Sequence, residues 1–183
     1  EVLRARSWEA FISNDLAMIA LSRLSFWVIS TGLRLDAQPD TDVLELEGIS
    51  TDRQKFSNSI EAYWRIWSRT PSMCHKSGSM SFAEIQTRVF MNAWIGGDCL
   101  VILRVEKGNP TVQIIDGCHI QSPGAYDPLV RNGVEYNELG KIVAYHIRKD
   151  NYEFDRIPAV NETYGLVQTF LVKGLRYKLD DSR

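Results

Sequence analysis

Three cysteines and three histidines are the side chains of this 183-residue sequence best suited to metal binding or nucleophilic chemistry. Four of them form adjacent pairs, Cys74-His75 and Cys118-His119, with Cys99 between the pairs and His146 beyond them. Thiolate and imidazole are the ligands of tetrahedral zinc sites, but such sites take two ligands from one turn by spacing them two to four residues apart. Adjacent pairs cannot do this, and Cys99 opens an apolar run, so neither a metal nor a cofactor is expected. A cysteine nucleophile with His146 as its base needs only proximity in space. His146, however, alternates with Tyr145 and Ile147 as in a strand, where a surface or hydrogen-bonded histidine is the expectation. Gly96-Gly97-Asp98 has the composition of a phosphate loop, yet the glycines follow a helix instead of preceding one, so no helix N-terminus would face the ligand. Asp180-Asp181 and the pair Glu45 and Glu47 lie in polar stretches where carboxylates serve to solvate the chain. No catalytic residue is expected.

Whatever these side chains do, the segment 80–105 must position them. Ser81 is placed as an N-cap with Glu84 three residues on, a capping box, and Met80 with Ile85 can staple it. Phe82, Ile85, Val89 and Ala93 recur at helical spacing, Phe90 and Trp94 widen the stripe, and Gly96-Gly97 end the helix. The run 99–105 is too apolar for a loop and too short for another helix, which predicts a buried strand.

Upstream, a short helix over 3–12 carries Trp8, Phe11 and Ile12, and Ser13, Asn14 and Asp15 supply caps for a second. That second helix, with Leu16, Ile19, Ala20, Leu24 and Trp27 on one face and Leu21, Phe26 and Val28 besides, is apolar enough to be buried on more than one side. It stops at Ser30-Thr31-Gly32. Leu33 and Leu35 alternate with Arg34 and Asp36 as in a short strand, and 38–50 reads as a loop. Thr51 with Gln54 makes another capping box for a helix to about Arg69, with Phe56, Ile60, Tyr63, Trp64 and Trp67 on its apolar face. Helical spacing turns Trp64 and Trp67 towards a core, although tryptophan is also favoured at interfaces. Pro71 stops that helix, and 72–79 links it to the next. Downstream the pattern is β. Residues 107–110 turn into a second arm over 112–115, 123–128 is irregular, and Val134 to Tyr136 pairs with 142–147 through a turn at 137–140 in which Gly140 takes positive φ. Residues 164–172 are a further strand.

These elements predict an α+β fold, with N-terminal helices packed on a mostly antiparallel sheet or partial barrel built from hairpins. One domain over 1–183 is expected, mainly helical over 1–95 and mainly β over 99–172. Charged residues make up 24% and the formal net charge is −2, which predicts neither a strongly basic nucleic-acid surface nor a polybasic membrane patch, so any contact with DNA would have to be local or non-electrostatic. Three cysteines without a short-spaced pair argue against a disulfide framework. No apolar run reaches the roughly twenty residues that span a bilayer. The chain opens without methionine, at Glu1-Val2-Leu3, and is expected to be a fragment of a longer polypeptide.

The order of motifs resembles the lambda family of bacteriophage portal proteins. Ser30-Thr31-Gly32-Leu33-Arg34-Leu35 is similar to the family's Gly-Thr-Gly-Leu-Arg-Leu element, and Tyr63 to Trp67 to its aromatic helix end. Ser81-Phe82-Ala83-Glu84-Ile85-Gln86, then Gly97-Asp98 and an apolar strand, resembles S-F-x-E-L-Q leading into D-G-E. Gln113-Ile114-Ile115-Asp116 is similar to Q-L-I-D-P. Gly133-Val134-Glu135-Tyr136, Gly140 and Val143-Ala144-Tyr145-His146-Ile147 resemble the family's G-V-E-x-D and G-R-P-V-A-Y-H-I hairpin. Asp15 stands where a proline is common, Gly117 and Ile142 replace prolines, and Asn137 replaces an aspartate.

The resemblance implies a non-enzymatic, usually dodecameric ring at one capsid vertex, found in the virion and, during assembly, in the host cytoplasm. Such a ring passes DNA and contacts capsid protein, terminase and head-completion proteins, with no membrane partner. This chain would form most of the peripheral wing, whose near-neutral charge would not grip DNA tightly enough to stall it. The alternatives are a cysteine-dependent enzyme, which requires a thiol with a histidine in reach inside a cleft, and a non-viral adaptor domain that binds a partner through exposed aromatics.

Overall fold

A computed structural model describes residues 2–49, 52–106, 108–124, 127–149, 151–163 and 165–174. Six helices precede the β part: α1 Val2–Ser13, α2 Asp15–Ile29, α3 Thr41–Leu46, α4 Arg53–Arg69, α5 Pro71–Cys74 and α6 Phe82–Met91. Seven strands follow: β1 Asp98–Glu106, β2 Asn109–Asp116, β3 Val130–Arg131, β4 Val134–Tyr136, β5 Ile142–Arg148, β6 Phe154–Pro158 and β7 Thr169–Lys173. The strands of each sheet pair antiparallel, in the orders β2-β1-β7 and β3-β4-β5-β6, with no closed barrel among the described residues. The α+β expectation holds.

Period-two alternation along β1 gives the layers. Leu100 and Ile102 face the second sheet and close a core with Val134, Tyr145, Ile147 and Ala159. Val101 faces the helices, where Trp67, Cys74, Ile85 and Val112 form a second core with Trp64, Met80 and Phe82 against it. Trp64 and Trp67 therefore face the interior, with Trp67 6% exposed and its indole N–H donating to the Pro110 carbonyl at 2.7 Å.

The capping box at Ser81 and Glu84 is present, with Glu84 Oε2 accepting from the Ser81 N–H at 2.7 Å. Gly140 closes the turn between β4 and β5 at a φ of 78°. The helix begun at Phe82 does not run straight to Gly97: it ends at Met91 and continues as one π-helical turn, Asn92–Gly96. At the far end of β7 the chain returns to this point. The Gly174 N–H donates to the Gly97 carbonyl at 2.9 Å, and a Cβ on Gly174 would collide with the Ala93 carbonyl.

Several expectations are corrected. The second helix is not buried: Leu16, Phe26 and Trp27 are 78%, 68% and 73% exposed, because only the side bearing Ser25 meets the rest of the chain. Leu33 and Leu35 form no strand, since no neighbouring strand offers them a ladder. The expected loop over 38–50 contains α3, nucleated by Asp40, whose side chain accepts from the N–H groups of Asp42 and Val43. Asp52 caps α4 by accepting from Gln54 N–H and Lys55 N–H, so the cap falls one residue after Thr51, which lies outside the described residues. Pro71 starts α5 instead of leaving an open link, consistent with its fixed φ at the first helical position. β6 was not anticipated, and the expected strand over 164–172 is confined to Thr169–Lys173, with Tyr164 outside the described residues.

Candidate functional site

The thiols and imidazoles do not converge. Cys74, at the end of α5, is fully buried and its thiol donates to the Met80 carbonyl at 3.3 Å, with burial pushing its pKa up. Its neighbour His75 is engaged elsewhere: Nδ1 accepts from the Ser79 N–H at 3.4 Å and lies 3.0 Å from Ser77 Oγ. Burial, and then the charge of Arg88, holds that imidazole below its ordinary range. Cys99 lies under α6, 3.7 Å from the Val89 carbonyl, and burial followed by the nearby charges of Asp98 and Asp116 pushes it up to about 12. A thiol so protonated is a poor nucleophile and a poor ligand at neutral pH.

Cys118 and His119 occupy a short 3-10 turn, Gly117–His119. His146 Nε2 lies 3.0 Å from Glu135 Oε2, and Arg156 holds the same carboxylate through Nε at 2.7 Å and Nη2 at 2.8 Å. Among the described residues no group of three His, Cys, Asp or Glu side chains is placed to hold a metal ion. Gly96 and Gly97 end the π turn, Glu45 and Glu47 lie in and just after α3, and Asp180-Asp181 fall outside the described residues.

The motif residues instead join pairs of elements. Gly32 passes so close to α6 that an added Cβ would lie 3.0 Å from Ala83 Cβ and 2.9 Å from Gln86 Oε1. The latter oxygen accepts from the Leu33 N–H at 3.1 Å, which ties the end of α2 to α6. Phe82 packs edge-on against Trp64, with ring centroids 5.2 Å apart, and at 5.1 Å from Trp67. Asp98 and Asp116, at the paired ends of β1 and β2, share Arg4 of α1, with Arg4 Nη1 2.8 Å from Asp116 Oδ1. Gly117 fits beside this cluster because any Cβ there would strike the Asp98 carboxylate. Gln113 accepts from Arg104 Nε at 2.7 Å. Gly133, at a φ of 77°, passes against the backbone of 120–121, where a Cβ would sit 2.5 Å from Gln121 N. Tyr136 flanks the core between the sheets, while Ala144 and Tyr145 are buried in β5.

The family profile described as phage portal protein, lambda family, matches residues 1–167. This chain belongs to that family. A search among curated proteins finds no match.

Three surface features of this portal chain stand open among the described residues. The outer side of α2 exposes Leu16, Ile19, Phe26, Trp27 and Val28. Beside it, an apolar groove of about 740 Å³ runs between the α2 end, α6 and the first sheet, past Leu33, Phe90, Trp94 and Leu103. A second cleft of about 690 Å³ lies between residues 31–35, α4 and the start of α6. Its floor is Trp64 and Phe82 and its rim carries Arg34, Arg65 and Arg69, none of which has a salt-bridge partner among the described residues. The arginine spacing on α4 was readable, since Arg65 and Arg69 are one helical turn apart. Arg34 joins them only through the fold. Among the described residues no single helix is long and apolar enough to cross a membrane, and α1 and α2, which together have the length, are bent by 95°.

Proposed function

We propose that this chain is the wing part of a portal subunit, a non-catalytic component of a ring, usually dodecameric in the family, at one vertex of a viral capsid. Viral DNA passes through the ring during packaging and ejection, and capsid protein, terminase and head-completion proteins bind around it. Residues 1–183 act as one α+β domain that needs no cofactor.

Family membership over 1–167 supports this reading, and the observation that carries it is the uncovered apolar side of α2 with its adjoining groove. Side chains such as Leu16, Phe26 and Trp27 cost free energy when left in water, and contiguous patches of this kind mark contact surfaces. Cys74, Cys99 and His146 are each engaged with other groups, the Met80 carbonyl, the Val89 carbonyl and Glu135, which gives the enzyme alternative no support at Cys74 or Cys99.

Particle imaging and mass measurement of the full-length protein test the reading. Closed rings with a central opening are the expected result. A stable monomer over the micromolar range would overturn it.

A further inference from the structure

We propose that neighbouring portal subunits are joined by α3 of one copy seated in the arginine-rimmed cleft of the next. This inference rests on the ring reading above and names a contact within it. α3 is a six-residue helix with five of its six residues exposed. Helices this short do not hold their shape in water without tertiary support. Val43 and Leu46, three residues apart and 54% and 86% exposed, form one edge. Asp42 and Glu45, likewise three apart, form an adjacent edge, with Glu47 just beyond. α3 is thus apolar along one line and acidic along the next, and both lines are largely exposed among the described residues.

The cleft has largely the opposite character: Trp64 and Phe82 line it together with Arg34, Arg65 and Arg69, which have no salt-bridge partner among the described residues, and with one acid, Glu61, which accepts from the Ala37 N–H. Apolar edge would meet aromatic floor, and carboxylates would meet arginines. α3 contributes no residue to the lining of its own chain's cleft, although the segment leading into it is close by: Leu35 lines the cleft, and the Ala37 N–H donates to Glu61, another lining residue, at 3.1 Å. A surface pair of this kind is heterologous, the type that joins copies head to tail and can close into a ring.

The test uses two charge-reversed forms of the full-length protein, one with Asp42→Lys and Glu45→Lys, the other with Arg65→Glu and Arg69→Glu. Sedimentation or mass photometry reads assembly, and circular dichroism reads folding. Each variant alone is expected to assemble at least about tenfold more weakly than the parent at low salt. An equimolar mixture is expected to recover, because reversed α3 meets reversed cleft and the native pair meets at the next contact. Recovery also shows that both variants fold. Reversed variants that assemble like the parent, or a mixture that fails to recover, would overturn this contact while the parent's rings keep the portal reading intact. A parent that remains monomeric would overturn both.

Discussion

Replacing Arg4 with methionine should loosen α1 from the rest of the molecule, and the structure sets the size of the effect. α1 contributes no buried residue, so its polar tie to the sheet matters more than its packing. Arg4 donates to both Asp98 and Asp116, which end the paired strands β1 and β2. Hydrogen bonds between charged partners contribute about 1.5–3 kcal/mol each when buried. Side-chain exposures of 20% for Arg4 and 32% for each aspartate reduce that to roughly 1 kcal/mol apiece. Methionine would also leave two carboxylates side by side, although Asp116 keeps the Cys118 N–H at 2.8 Å. The expected loss is about 2–3 kcal/mol by urea unfolding, with faster proteolysis within 2–13. A pH series adds a second readout. Burial opposes the Asp116 charge, but the Cys118 N–H and Arg4 outweigh it and hold the carboxyl below its ordinary 3.8. Its contribution is therefore complete above 3.8 and lost as pH falls through the lower folded value, so parent and variant should converge in acid. A loss below about 0.5 kcal/mol at pH 7, or a gap that persists in acid, would refute the role given to Arg4.

Two further outcomes are expected. Gly133→Ala should cost about 3 kcal/mol in urea unfolding, since its Cβ meets backbone at positive φ, whereas Gly97→Ala, with open space around it, should cost nearer 1 kcal/mol; equal losses would refute the close-approach argument. Thermal stability should fall in two stages on acidification. His75, depressed mainly by burial, withdraws support as pH drops below 6.5, and Glu135, depressed mainly by its bond to Arg156, does so as pH falls below 4.5 and through its folded value; a melting temperature unchanged from pH 7 to about 5 would contradict the first, and one unchanged from about pH 5 to about 2 the second.

Legibility followed range. The capping box at Ser81 and the turn closed by Gly140 depend on residues within four positions of one another, and both stand where the sequence places them. The order of motifs likewise carried the family. What failed depended on company. α2 reads as a buried helix because its composition reports only a preference for apolar surroundings, and the described chain covers one side of it. β6, with Asp155 and Arg156 at its centre, lacks the apolar signature of a strand because it is a sheet edge. The arginine cleft is assembled from three separate segments, so no local pattern announces it. α3 was hidden by length, since six residues hold too little periodicity to distinguish a helix from a loop.

The anchoring of Gly174 at the π turn has a mechanical meaning. Polypeptide leaving β7 is fastened to the Gly97 carbonyl at the joint between α6 and β1, with no room for a side chain to slacken it. Tension applied further along the chain would reach that joint before it reached either hydrophobic core. It would be felt as a twist of α6 on the sheet, and so as a change in the width of the groove alongside.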